Sequence, residues 1–270
     1  MSQSVPAYDP IAAGRQELAD IIQRHCQGEG VFDTAIDSLL VGRSDCPHEG
    51  RMPTLYRPAL CVIAQGCKEV RLGSEVYRYD ELNLLVVSVT LPVSGQVIEA
   101  SPEKPYLSIR LDIDPGELTR LIAEAGLAGS APRPASRGIY LQRLDCTVLD
   151  APLRLMRLLD TPRDIEMLAP LFVREILYRL LRGPQGHLLH DLAMTDSQTH
   201  RVTRAIEWLN RNYDKSLRIE DLAREVNLSV STLHHRFKEV TALSPLQYQK
   251  QLRLQEARRL LLSEGLEVAV

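Results

Sequence analysis

Hydrogen-bonding and cationic side chains are concentrated in one short stretch of the chain, residues 230–240. They are Ser231, Thr232, His234, His235, Arg236 and Lys238. Groups of this kind donate to guanine and phosphate acceptors, and the shorter ones contact base edges. The same composition is also typical of an ordinary solvated helix face, so these residues alone leave both interpretations open.

The apolar residues around this stretch predict how it is held. Leu233 and Phe237 are four residues apart and face inward if residues 230–240 form a helix, which leaves the polar residues outside. Ser229 is well placed as the N-cap. A helix within 217–226 precedes it, joined by the short turn 227–229. Two short helices joined in this way predict a helix-turn-helix, whose second helix enters the major groove of DNA.

Further helices flank this pair. Residues 200–213 place apolar residues on one face, and Ser244-Pro245 is a strong helix start for the long segment that follows. Residues 195–270 carry 12 Lys and Arg against 10 Asp and Glu, whereas residues 1–194 carry 20 against 25. The positive balance of the tail is small and only compatible with DNA binding.

Earlier in the chain, from Leu55 to about residue 113, short runs rich in Val, Ile and Tyr predict strands. Two alternating segments around Gly73-Ser74 predict a tight antiparallel hairpin. In residues 11–40 the apolar residues predict one helix and then a loop, because glycines end the helical pattern. We expect a small β-barrel or sandwich, which is a fold that encloses space.

Helical periodicity returns after these strands. We predict a short helix at 116–125, a loop at 128–136 and two helices within 149–183. Their wide apolar stripes fit either packing against the β-rich part or a dimer surface. The polar stretch 190–200 then predicts a domain boundary, with one domain at 1–194 and a second at 195–270.

A β-fold of this kind can hold an organic ligand among a few polar anchors. The candidates are Tyr56, Cys61, Gln65, Cys67, Tyr79 and Ser88. Plain core packing is the competing explanation for each. Cys61 and Cys67 also permit redox sensing if nearby Lys68 or Arg71 activates a thiolate.

Histidine is absent between Glu49 and Gly186, so we expect no metal site, no cofactor and no enzymatic activity in the β-rich part. The five cysteines follow no metal-ligand spacing and are expected to be reduced. Composition is ordinary for a soluble globular protein, and neither a signal peptide nor a membrane span is evident. These features predict a cytoplasmic protein.

The segment from Leu228 to Tyr248, continuing through residues 253–261, resembles the signature of AraC/XylS-type transcription regulators. Residues 55–66, 77–79 and 87–95 resemble the cupin-like N-terminal domain of one branch of that family. The resemblance implies an α+β protein with a small cupin-like β-barrel and flanking helices, followed by an all-α helix-turn-helix domain. It implies base contacts at Ser231, His234 and His235.

The resemblance also implies partners. These are double-stranded promoter or operator DNA, a small-molecule effector, a second copy of the chain, and RNA polymerase if the protein is an activator; no membrane is implied. A ligand carrier or a metal-independent cupin-like enzyme without DNA binding is the alternative.

Three departures from the family pattern stand out. His235 replaces an Arg that would bind guanine in a bidentate manner, and Ala242 replaces a Gly, which raises the question of whether its φ is positive. The sequence ends at Val270, where a second helix-turn-helix unit would begin. We therefore expect weaker and less specific DNA binding than that of a relative with both units.

Overall fold

The computed structural model describes residues 9–127, 136–193 and 198–264. Within these ranges, ten strands and five α-helices precede residue 194, and four helices follow residue 197. Most of the predicted loop 128–136, four residues of the predicted boundary and the last six residues of the chain lie outside the described residues.

Ten antiparallel strands form two sheets that face each other. They are β1 (Gly30–Asp33), β2 (Leu39–Ser44), β3 (Met52–Tyr56), β4 (Ala59–Gln65), β5 (Cys67–Leu72), β6 (Glu75–Asp80), β7 (Asn83–Val87), β8 (Leu91–Glu99), β9 (Tyr106–Asp112) and β10 (Ile139–Arg143). One sheet has the order β1-β2-β9-β4-β7-β10, and the other has the order β3-β8-β5-β6. The predicted α+β class is confirmed, but the sheets do not close into one barrel among the described residues.

The six-stranded sheet is covered on its outer face by α1 (Pro10–His25), which packs against β2, β4 and β9. Asp9 caps this helix by accepting from the backbone N–H groups of Ile11 and Ala12. Because α1 covers one face of β4 and the other sheet covers the opposite face, β4 is a nearly continuous apolar run.

The predicted hairpin is confirmed. Leu72 of β5 pairs with Glu75 of β6, so Gly73 and Ser74 form a two-residue turn. Gly73 has a φ of +59°, which glycine adopts without steric cost.

The predicted loop after α1 is wrong in part, because β1 and the start of β2 lie within residues 11–40; β3, further along the chain, was not predicted. β1 and β3 lie at sheet edges, where strands are short and need no clear alternation. The sequence analysis also missed β10, which pairs with β7 at the opposite edge.

Four helices follow the strands or lie between them. They are α2 (Pro115–Glu124), α3 (Cys146–Arg157), α4 (Ile165–Arg182) and α5 (Gly186–Ala193). The predicted helices at 116–125 and within 149–183 are confirmed, although α3 starts earlier because Asp145 caps it. α5 occupies part of the stretch predicted as a polar linker, since Leu188, Leu189 and Leu192 are buried there.

The C-terminal part contains α6 (Gln198–Arg211), α7 (Ile219–Glu225), α8 (Val230–Thr241) and α9 (Pro245–Glu264), which confirms the four predicted helices. Among the described residues, none of the helices combines the length and the apolar character that crossing a lipid bilayer demands.

Candidate nucleic-acid interface and ligand cavity

α7 and α8 are joined by a tight turn. Asn227 has a φ of +54°, a left-handed conformation that Asn tolerates better than most residues. The backbone N–H of Leu228 then donates to the carbonyl of Ala223 at 2.9 Å and ends α7. This turn sets the angle at which α8 leaves α7, as the helix-turn-helix prediction requires.

α8 is capped and anchored as the sequence predicted. The Ser229 hydroxyl accepts a hydrogen bond from the Thr232 backbone N–H at 3.2 Å. Leu233 and Phe237 are fully buried, and the Phe237 ring meets the Tyr248 ring of α9 edge-on at a centroid distance of 5.4 Å. The rotation of α8 about its own axis is therefore fixed.

That rotation leaves Ser231, His235 and Lys238 exposed on one outward face. Thr232 and His234 are half-buried at its two flanks. A helix surface with a hydroxyl, an imidazole and an ammonium in a row can donate to both base edges and phosphates.

Arg236 is less available than the sequence suggested. Its Nη1 donates to the Glu239 carboxylate at 2.9 Å, and the His235 Nε2 lies 3.2 Å from the other oxygen of the same carboxylate. Arg236 therefore lies beside the outward face and is already paired, while Lys238 extends directly from that face.

Two arginines of α9 are also engaged. Arg253 donates to the carbonyls of Tyr213 and Lys215, and Arg259 pairs with Glu256. The hydrogen bonds of Arg253 connect α9 to the segment that follows α6 and so help to fix the position of α9.

The C-terminal end of α8 touches the β-rich domain. The backbone N–H of Gly138 donates to the Val240 carbonyl at 2.9 Å. The Tyr248 hydroxyl donates to the Thr90 carbonyl at 3.0 Å, and the Gln255 amide donates to the Thr54 carbonyl at 3.0 Å. The residue before β10 is thus connected to α8, whereas the β3–β8 side of the other sheet is connected to α9.

Ala242 directly follows the last residue of α8. Its φ is +59°, so this alanine ends α8 in the left-handed conformation that glycine adopts more readily. Its Cβ would lie 3.4 Å from a Cβ placed on Gly73, which puts the β5–β6 turn against the end of α8.

A cavity of about 230 Å³ lies between the two sheets. Of the six predicted ligand residues, Tyr56, Cys61 and Tyr79 line it. Gln65, Cys67 and Ser88 do not: Gln65 donates to the Pro105 carbonyl, and Cys67 and Ser88 are buried elsewhere.

Four further residues of the cavity wall were not predicted from the sequence: the cationic Lys68 and Arg110, together with His48 and Tyr106. A signal for Lys68 was present in the alternation of β5. Val70 and Leu72 are fully buried on the inward face, and Lys68 falls in the same register.

Two tyrosines of the cavity, Tyr79 and Tyr106, are neutral phenols. Burial raises the pKa of Tyr79 and of Tyr106 above the ordinary phenol value. At Lys68 burial opposes the positive charge, but the Tyr56 and Tyr106 oxygens favour it by more, so its pKa is raised. The Lys68 ammonium lies 5.8 Å from the Tyr56 ring centroid and 5.9 Å from that of Tyr106.

The two cysteines considered for redox sensing are buried thiols. Burial raises the pKa of Cys61 to about 11, and it also raises the pKa of Cys67. Both therefore lack the thiolate character of a reactive cysteine. Among the described residues no cluster of three or more potential metal-ligating His, Cys, Asp or Glu side chains occurs.

Two regions of the chain match known protein families. Residues 35–188 match the AraC-type transcriptional regulator N-terminus, and residues 222–270 match a helix-turn-helix domain. The HTH-type transcriptional activator RhaS of Yersinia pestis bv. Antiqua (strain Angola) is 30% identical over 121 residues, which are 45% of this chain and 41% of RhaS. The chain thus spans about two-fifths of that relative's length.

Two solved structures are similar at low identity. ToxT from Vibrio cholerae O395 is 10% identical with a TM-score of 0.33, covering 80% of this chain and 98% of ToxT. The AraC-like transcriptional activator CuxR is 15% identical with a TM-score of 0.31, covering 83% of this chain and 78% of CuxR.

Proposed function

The chain belongs to the AraC-type transcriptional regulators, and from this premise we propose that it binds double-stranded promoter or operator DNA in a sequence-specific manner and responds to a small molecule. Residues 1–194 would be the regulatory domain and residues 195–270 the DNA-binding domain. Such a protein acts in the cytoplasm, without a chemical reaction of its own, and contacts RNA polymerase if it activates transcription.

The observation that carries this proposal is the outward face of α8. Ser231, His235 and Lys238 are exposed together on a helix whose opposite side is fixed in the core. We assign base contacts to Ser231 and His235, with His234 and Thr232 at the flanks, and a phosphate or guanine contact to Lys238. Arg236 orients Glu239 and His235.

Communication between the domains would pass through the end of α8. Its last carbonyls accept hydrogen bonds from Arg137 and Gly138, which directly precede β10. A ligand that changes the β-sheets can then alter the population of DNA-binding arrangements, provided that it binds those arrangements with different affinity.

A stripe on α4 supports a homodimer. Met167, Leu171 and Tyr178 lie on one face of the helix and are 74%, 59% and 42% exposed. Large apolar side chains in such a row are typical of a protein–protein contact surface.

The proposal is tested by selecting duplexes from a randomised library and measuring affinity by fluorescence anisotropy at low salt. We expect the native protein to enrich a sequence motif, and the Ser231→Ala/His235→Ala/Lys238→Ala variant to lose that enrichment. Arg163→Ala, which removes an exposed cation in the first domain, is the matched control and should bind as the native protein does. Equal duplex binding by native protein and triple variant would overturn the assignment of α8.

A further inference from the structure

The interior of the β-rich domain contains an unusual charge. Lys68 lies in the inward register of β5, in line with two fully buried side chains, and its neighbours in sequence, Glu69 and Arg71, lie on the other face. Moving an ammonium into a protein interior is costly unless a partner compensates it. Within the described part of the chain, no carboxylate forms an ion pair with Lys68, and its polar surroundings are tyrosines.

The charged side chains that line the cavity next to Lys68 attract an anion and repel a cation. Its described lining includes Lys68, Arg110 and His48 but neither an Asp nor a Glu. Arg110 is paired with Asp112 at 2.8 Å, so its charge is already balanced. Lys68 therefore supplies the uncompensated positive charge of this wall.

Two glycines, which have no side chain, leave open space beside the Lys68 side chain. A Cβ on Gly95 would lie 3.3 Å from the Lys68 Cε, and one on Gly42 would lie 3.0 Å from the Ser108 Oγ. Both glycines line the cavity. The open space therefore adjoins the aliphatic part of the Lys68 side chain and the Ser108 hydroxyl.

The remaining wall is aromatic and aliphatic. Tyr56, Tyr79 and Tyr106 stand around Lys68, and Val41 and Ile109 complete the apolar surface. At about 30 Å³ for each water-sized group, a volume of about 230 Å³ holds roughly eight non-hydrogen atoms. The ligand that fits is small and flat or short, with one anionic end.

We infer that this cavity binds a small organic carboxylate, whose anionic group pairs with Lys68 and accepts from the surrounding tyrosine hydroxyls while its apolar body packs against the aromatic wall. The inference deepens the proposed function by giving the chemical class of the effector. It rests on the proposed function only in that the bound carboxylate is called an effector. Binding of the carboxylate can be measured in the absence of DNA.

The experiment uses the full chain with benzoate and hexanoate as probes and with benzamide as the uncharged match for benzoate. Isothermal titration calorimetry measures each dissociation constant. We expect saturable binding of at least one carboxylate and about tenfold or greater weakening for benzamide, because a charge-assisted contact is lost. Absence of binding by both carboxylates at millimolar concentration, or equal binding of benzamide, overturns the inference.

Three variants locate the site. Lys68→Met removes the charge at nearly constant length, and Gly95→Ala crowds the lysine stem; both should weaken carboxylate binding about tenfold or more. Arg78→Met, on the exposed surface of β6, removes a cation outside the cavity and should have no effect. Circular dichroism shows whether each variant is folded, and Gly95→Ala keeps the charge if Lys68→Met does not fold. Unchanged affinity in a folded Lys68→Met or Gly95→Ala variant overturns the site.

Duplex binding is measured on the same preparations, so that failure of the carboxylate site can be distinguished from failure of the proposed function. A protein that binds benzoate through Lys68 but enriches no duplex retains the carboxylate site and loses the proposed function. A protein that enriches a duplex but binds neither carboxylate retains the function and loses this inference.

Discussion

The Arg137 Nη1 donates a 2.7 Å hydrogen bond to the carbonyl oxygen of Lys238, across a sequence separation of 101 residues. The same guanidinium contacts the Glu239 carbonyl and pairs with the Glu75 carboxylate of β6, with 2.8 Å between Nε and Oε1. A cation thus binds backbone carbonyls at the C-terminal end of the proposed DNA-reading helix, where the helix dipole favours positive charge. The β-rich domain supplies both the arginine and its counter-charge.

Replacing Arg137 with alanine should loosen the end of α8. We expect the free energy of unfolding to fall by about 1–2 kcal/mol, because charge-assisted hydrogen bonds at a partly exposed site are lost. Amide hydrogen exchange at residues 238–243 should accelerate, while exchange in the buried strand β4 should change less. Urea denaturation and exchange mass spectrometry measure these two quantities.

Arg78→Ala is the matched control for that variant, since Arg78 forms an ion pair with Glu99 in which both side chains are exposed. Its cost should be below about 1 kcal/mol, and exchange at 238–243 should be unaffected. Equal effects of the two substitutions on those amides would contradict a specific role of Arg137.

Two residues on the outward face of α8 should differ in what they contribute to DNA binding. Lys238→Ala is expected to weaken all duplexes similarly and to reduce the salt slope by about 1, because a phosphate contact is lost. His235→Ala should relax the preference at one base pair at a cost of about 1–3 kcal/mol for the best sequence. Anisotropy titrations over a salt series, with the selected duplex and single-base variants, separate these effects; identical behaviour of both variants would refute the assignment.

Ala242→Gly should stabilise the protein. An alanine at φ +59° carries left-handed strain, and glycine removes it at some cost in unfolded-chain entropy and in the contact beside Gly73. The expected net gain is about 0.5–1 kcal/mol in the free energy of unfolding. Ala123→Gly, at an exposed position inside α2, is the control and should cost about 1 kcal/mol. A loss of stability in Ala242→Gly would show that the packing of its methyl group outweighs the strain.

The helical domain was the most predictable part of this molecule, because its signals are local. Ser229, Leu233 and Phe237 act within one helix and its cap, and Ser244-Pro245 marks a helix start. The edge strand β3 was missed because its partner, β8, lies far away in sequence, and β1 was missed because it is only four residues long and has no clear alternation.

The cavity was only half predictable for the same reason. Tyr56, Cys61 and Tyr79 were identified as polar or polarisable groups in strands, but which face each one occupies depends on register. Lys68 was noted only for its effect on nearby thiols, although its alternation with Val70 and Leu72 in β5 already indicated an inward position. The contact between Arg137 and α8 joins two domains and has no local signal.

The exposed stripe on α4 predicts an effect on oligomeric state. Met167→Glu/Leu171→Glu should convert a dimer into a monomer, because two buried charges would face each other across a symmetric contact. Sedimentation analysis at several concentrations measures this change. Leu82→Glu, which replaces an apolar residue that is 53% exposed in a different part of the domain, should leave the state unchanged. A native chain that is monomeric at high concentration, or a dimer that survives the double substitution, would remove α4 from the interface.

Thiol reactivity should divide the five cysteines into two groups. Cys46 and Cys146 are exposed, whereas Cys26, Cys61 and Cys67 are buried. With a pKa of about 11, Cys61 is roughly one part in a thousand thiolate at pH 8, and its reaction is suppressed further by lack of access. Treatment with a disulfide reagent at pH 8 should therefore modify two thiols rapidly in the folded protein and five in denaturant. Cys61 should gain thiolate as the pH rises toward 11, because its raised pKa keeps the neutral form dominant below that pH. Peptide mapping identifies the sites, and rapid labelling of Cys61 or Cys67 at pH 8 would restore the redox-sensing hypothesis.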